Sequence, residues 1–181
     1  MTRTEASEPR ALTSGEDPAG RLAPPILTVV ARDTAAARKS GCKIIVFCCN
    51  FCAYAAADLA GARRMQYPPN VRIVHLPCTG KLEMDAVLAA FERGIDGVLV
   101  AGCLEGGCHY LEGNLRAKRR LEAIRDLLDE IGLGRERLRM VNLSAAMAPT
   151  FVERVKEMVE TVERLGPSPL RATAKEKAEV P

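Results

Sequence analysis

The 181-residue sequence has no tryptophan, two histidines (His75 and His109), and seven aromatic residues in all, four Phe and three Tyr. So few rings exclude a stacking platform for single-stranded nucleic acid. Neither sign of charge dominates: 26 basic residues face 23 acidic ones, and between positions 41 and 165 the count is 17 against 16. That balance excludes binding by neutralisation of a phosphate backbone, so no nucleic-acid partner is expected. No apolar run approaches the ~20 residues that span a bilayer, and no membrane partner is expected either. The first residues mix Arg3 and Arg10 with Glu5, Glu8, Glu16 and Asp17, and the short apolar stretch 24–30 holds two prolines. No secretory signal is read there, and a cytoplasmic location is expected.

Nucleotide motifs are missing as well. No GxGxxG or GxxxxGK(S/T) pattern occurs. The loop CCNFCAYAAAD, where a flavodoxin would cradle its phosphate, has no Ser, Thr or Gly. No Ser-His-Asp arrangement or carboxylate pair stands out for hydrolysis.

What the sequence does have is an alternating pattern. Residues 1–40 are rich in Ala, Thr, Ser, Pro and Glu without sustained periodicity and read as a disordered extension; 166–181 reads as a second disordered tail. Between them, the run 43–48 (KIIVFC), apolar at every residue after Lys43, has the signature of a strand buried on both faces. An Ala-rich helix is expected over 53–65, a strand over 71–76, a helix over 82–93 and a strand over 97–101. A long amphipathic helix over 112–131, a strand over 138–143 and a helix over 151–165 complete the series. The order βαβαβαβα predicts one α/β domain, 41–165. We expect a flavodoxin-like fold: a four-stranded parallel sheet in the order 2-1-3-4, with helices on both faces. Ligands of such sheets sit outside the carboxyl ends of the strands.

Six of the seven cysteines fall there. Strand 1 ends in Cys48-Cys49-Asn50-Phe51-Cys52, strand 2 leads into Pro77-Cys78-Thr79-Gly80, and the loop after strand 3 contains Cys103 and Cys108. Only Cys42 lies at the opposite edge. Thiols are soft ligands, so iron–sulfur or zinc are the candidate metals. Cys49-x-x-Cys52 can bite one metal, and the Cys103-x4-Cys108 spacing matches a loop of [2Fe–2S] ferredoxins. Gly106 and Gly107 would let the backbone wrap an ion or cluster. Asn50, Thr79 and Gly80 are candidate donors to cluster sulfur. Two other chemistries compete on the residues alone: a zinc-stabilised interaction module, and a dithiol oxidoreductase at Cys49 and Cys52. Arg116, Lys118, Arg119 and Arg120, directly after the Cys108 loop, read either as a solvated helix face or as a docking patch, with Arg63 and Arg64 adding to it.

The segments FCCNFCAYAAADLAGARRMQYPPNVRIVHLPCTGK, GVLVAGCLEGGCHYLEGNLRAKRR and IGLGRERLRMVNLSA resemble the delta, iron–sulfur subunit family of methyl-viologen-reducing (F420-non-reducing) [NiFe] hydrogenase, over about 43–165. The resemblance implies an electron-transfer subunit carrying a [2Fe–2S] cluster and not catalytic by itself. Its partners would be a heterodisulfide reductase A-type flavoprotein and a hydrogenase or other electron donor. By position, Cys48, Cys49 and Cys52 match the family's first cysteine loop, Cys78 its second, and Cys103 and Cys108 its third. The ligand set drawn from these is Cys49, Cys52, Cys103 and Cys108, with Cys78 as the substitute; Cys48 is set aside because strand alternation points it into the core. The chain departs from the family pattern at Ala146-Met147-Ala148-Pro149, where an acidic helix start is usual.

Overall fold

The structure, a computed structural model, describes residues 41–171; the expected extension over 1–40 and the last ten residues of the expected tail lie outside the described residues. Four strands, β1 (Ile44–Cys49), β2 (Val71–Leu76), β3 (Gly97–Cys103) and β4 (Leu138–Leu143), form one all-parallel sheet in the order β2-β1-β3-β4, the order expected. β1 and β3 are buried at every residue, which is why their sequences are apolar runs and not alternations.

Four helices cover the sheet: α1 (Ala55–Ala62), α2 (Met84–Glu92), α3 (Gly113–Glu130) and α4 (Ala148–Leu165). α1 packs against α4, where Ile44, Val46 and Cys48 of β1 meet Ala56, Ala60, Phe151 and Val155. Ile45 and Phe47 alternate to the opposite face, which α2 and α3 cover together, as right-handed crossovers require. Two helices start earlier than expected, while α2 and α3 start later, at Met84 and Gly113. The first helix begins with a π-helical turn, Asn50–Tyr54, because the wider turn brings Cys52 back toward the strand ends. The last begins at Ala148, with Pro149 accommodated in its first turn, where no backbone donor is needed.

The amino-terminal edge of the sheet is tied by Asp96, which is fully buried. Its carboxylate accepts from Lys43 N (2.7 Å), Ser168 N (2.6 Å) and the Arg171 guanidinium (3.2 Å). Arg171 also donates to Gly41 O. Residues 166–171 therefore turn back onto the domain, and both ends of the described chain meet at this edge.

Candidate metal centre

The carboxyl-terminal edge carries the thiols. Cys49 closes β1, Cys52 lies in the π-helical turn after it, and Cys103 closes β3, the neighbour of β1. Their three Sγ atoms lie within 4.8 Å of one another, and Cys49 Sγ and Cys103 Sγ are 3.5 Å apart. Cys49 and Cys103 are buried and Cys52 is half-buried. Asn114 Nδ2 donates to Cys103 O and Leu104 O, both at 3.0 Å, and Asn142 also donates to Cys103 O, fixing the backbone as it leaves β3.

Cys78 and Cys108 form the adjoining pair. Cys78 precedes a 3-10 turn, Thr79–Lys81, and accepts from Gly80 N at 3.3 Å. Cys108 faces the first turn of α3. Both sulfurs flank Gly113, where a Cβ would stand 2.3 Å from Cys78 Sγ and 3.4 Å from Cys108 Sγ. The same contact zone brings two backbones together, since a Cβ on Gly80 would lie 2.7 Å from Gly113 Cα. Arg120 clamps this turn to α3, donating to Leu82 O (2.7 Å) and Gly80 O (2.8 Å).

Electrostatics separates the two. Burial raises Cys78 above the ordinary thiol range. Burial also pushes Cys108 upward, but hydrogen bonds from the backbone N–H groups of Asn114, Tyr110 and Gly113, with one from Cys78, outweigh it and leave the thiol below its ordinary value. Those amides include the free N–H groups of the α3 N-terminus, which favours negative charge. Cys52 and Cys103 are raised, chiefly by burial.

Cys48 is fully buried on the other face of β1, in the cluster with Phe151, and takes no part in this gathering. Cys42 lies at the amino-terminal edge, where Asn70 Nδ2 donates to its sulfur at 2.8 Å. Of the candidate donors, Gly80 N faces the Cys78 sulfur, Asn50 pairs with His75 Nε2 through its acceptor Oδ1 (2.8 Å), and Thr79 is buried against Gly102. Gly106 provides a left-handed turn (φ 76°), whereas Gly107 makes no close approach. The basic patch loses Arg120 to its clamp on the Cys78 turn; Lys118 pairs with Glu105 (2.8 Å) and Arg116 with Glu112 (3.7 Å).

Apolar side chains ring the thiols. Among the described residues, five of the eight exposed large hydrophobic side chains, Phe51, Tyr54, Leu104, Tyr110 and Leu111, lie in the segments directly after β1 and β3. Phe51 stacks on His109 with centroids 3.9 Å apart and meets Tyr110 edge-on. Leu111 is 84% exposed and holds a left-handed backbone (φ 65°), a conformation a leucine adopts only under constraint.

The donor set is all sulfur, drawn from two neighbouring strand ends on one sheet edge, which fits a soft metal or an iron–sulfur cluster and not an oxygen-seeking cation. These features define a small doubly wound α/β domain with a group of thiols at its strand ends that could hold a soft metal. The chain belongs to the family described as methyl-viologen-reducing hydrogenase, delta subunit, which matches residues 44–166. It is 53% identical over 129 residues to the vhu iron-sulfur subunit of F420-non-reducing hydrogenase from Methanocaldococcus jannaschii, covering 71% of this chain and 96% of that one. The corresponding iron-sulfur protein of Archaeoglobus profundus is 43% identical over 124 residues, 68% of this chain and 90% of that one. A subunit of the ferredoxin:CoB-CoM heterodisulfide reductase of Methanosarcina mazei is 43% identical over 134 residues, 74% of this chain but 17% of that longer protein.

Proposed function

We propose that the protein is an electron-relay subunit of an oxidoreductase complex, carrying a [2Fe–2S] cluster held by Cys49, Cys52, Cys103 and Cys108. The observation that carries this reading is the convergence of the first three sulfurs within 4.8 Å from two neighbouring strand ends. Cys108 is preferred to Cys78 as the fourth ligand because backbone amides at the start of α3 hydrogen-bond its sulfur and favour the thiolate form, the form that binds metal. When bound, such a cluster takes up and releases one electron at a time. The chain's own residues supply the rest. Asn114 and Asn142 fix the backbone at Cys103, Arg120 holds the Cys78 turn, and Leu104, Phe51 and Tyr110 limit water at the rim.

The apolar ring suits contact with a partner at the same edge. A heterodisulfide reductase A-type flavoprotein is the partner we favour, because a relative of this domain forms 17% of a heterodisulfide reductase polypeptide. A hydrogenase is the expected donor, as the names of the shorter relatives suggest.

Anaerobic purification followed by iron, sulfide and zinc analysis tests the reading. About two irons and two sulfides per chain, with an EPR signal after dithionite, are expected. Cys49→Ser, Cys52→Ser, Cys103→Ser and Cys108→Ser should each lose the signal, while Cys48→Ser keeps it. Stoichiometric zinc in a colourless protein, or an intact signal in Cys103→Ser, would overturn it.

A further inference from the structure

In a parallel ladder each strand directs half of its backbone groups toward one neighbour and half toward the other. Among the described residues β4 has a neighbour on one side only, β3, so part of its N–H and C=O groups lack a ladder partner there. Sheet edges are commonly blunted by proline, lysine, a bulge or a covering element. The β4 sequence LRMVNL has no proline or lysine, and its register against β3 runs from Leu138 to Leu143 without a bulge. Its four inner residues are only half-buried, and a groove of about 700 Å³ runs along the strand between α3 and α4.

The groove is basic. Arg125 of α3, Arg139 of β4 and Arg154 of α4 line it, against one carboxylate, Glu157, which already binds Arg154 at 2.7 Å. Two guanidinium groups have capacity left. Arg139 is half-buried yet has no hydrogen-bond, ion-pair or ring partner among the described residues. Arg125 Nε is buried and likewise has no hydrogen-bond partner, although its Nη1 reaches Glu122. The buried, unsatisfied Arg125 Nε raises the free energy of the isolated domain until an acceptor arrives, and the half-buried Arg139 is open to one. The other sheet edge differs: Arg72 of β2 donates to Pro69 O.

We propose that the free edge of β4 docks an extended segment of a partner protein as a fifth strand, with Asp or Glu side chains of that segment accepting from Arg139 and Arg125. Strand addition supplies main-chain hydrogen bonds for affinity, and the arginines select for acidic side chains at alternate positions. The proposal stands apart from the metal centre, whose thiols lie beyond the end of β3.

The test uses the full chain as purified, with an acetylated alternating Glu–Val octapeptide as probe and its Lys–Val counterpart as control. Binding is read by fluorescence anisotropy and hydrogen exchange at residues 138–143. The Glu–Val probe should bind and slow exchange in that strand, whereas the Lys–Val peptide should do neither. Arg139→Glu should weaken the probe by about tenfold or more, and raised salt should weaken it further. Arg139→Glu should keep the wild-type melting temperature, since Arg139 has no partner to lose; Arg125→Gln serves as the second variant. Equal binding of both peptides, or slowed exchange outside β4 only, overturns the proposal. So does displacement by millimolar inorganic phosphate that leaves β4 exchange unchanged, which would make the groove a simple anion site. Protection of β4 by self-association alone, seen in light scattering, would assign the edge to a second copy and equally overturn it. An absent cluster would leave all these readouts intact and bears only on the relay reading.

Discussion

Substituting Gly113 by alanine tests the packing of the thiol centre at its tightest point. The added Cβ would stand 2.3 Å from Cys78 Sγ, whereas non-bonded heavy atoms settle at about 3.5–4.0 Å, so the sulfur must retreat by roughly 1.2 Å or more. Retreat is obstructed, because Cys78 is held by Gly80 N and its turn is clamped by Arg120. Alanine gains at most about 1 kcal/mol of helix propensity, and less at the first position of α3, while overpacking costs about 1–3 kcal/mol. The net expectation is destabilisation by up to about 2 kcal/mol. Gly61→Ala in α1, where a Cβ meets nothing within 4 Å, is the control and should stabilise by roughly 0.5–1 kcal/mol. Urea unfolding measures both, alongside iron content. The decisive comparison is Gly113→Ala in a Cys78→Ala background. With the sulfur gone the clash disappears, so the two substitutions should be strongly non-additive. Additive effects would refute the account of this contact.

Arg120→Ala should destabilise by about 2 kcal/mol in urea unfolding, since two charge-assisted bonds to half-buried carbonyls are lost, and Arg120→Lys should recover only part. Asp96→Ala should cost about 3 kcal/mol by stranding the donors of Lys43, Ser168 and Arg171, whereas Arg171→Ala should cost about 1 kcal/mol because its side chain is partly in solvent. Burial first, and the charge of Cys49 second, raise Cys48 above the ordinary thiol range. The neutral thiol's contribution is thus complete below the unfolded value of about 8.5 and declines as pH rises above it, by up to about 1.4 kcal/mol per unit. Unfolding of metal-free protein at pH 7, 9 and 10 should show that decline, and Cys48→Ala should make it less steep, the raised Cys52, Cys78 and Cys103 supplying the remainder; an identical slope in the variant would refute the assignment.

The sheet order was legible because IIVFC and GVLVA cannot be half-solvated strands: runs apolar at every position need helices on both faces, and βα alternation then leaves few parallel orders. The clustering of cysteines at strand ends was legible for the same reason, since strand ends converge once the order is known. Alternation along β1 also separated Cys48 from Cys49. What stayed hidden depends on tertiary contact. The π-helical turn at Asn50 has no sequence signal apart from the Cys49-x-x-Cys52 spacing it serves. Gly113 reads as a poor helix residue, and only the approach of the Cys78 turn shows why no Cβ fits. Arg120 was indistinguishable from its neighbours Arg119 and Lys118 until its carbonyl partners were in place. The signal that pointed to it was faint: a basic residue seven positions after Gly113, two helical turns along the same face.

The knot at Asp96 has a practical meaning for anyone wiring this protein to an electrode. Residue 171, the last described, lies at the edge where Gly41, Asp96 and Arg171 meet, with the thiols about 20 Å away across six-residue strands. A film anchored at that edge would hold the sheet's insulating length between the surface and the thiols, where we place the cluster. It should be nearly silent in direct voltammetry yet fully reactive toward a dissolved carrier, because Phe51, Tyr110 and Leu111 would face the solution. Grafting through a surface cysteine near Leu104 would reverse the polarity of the film.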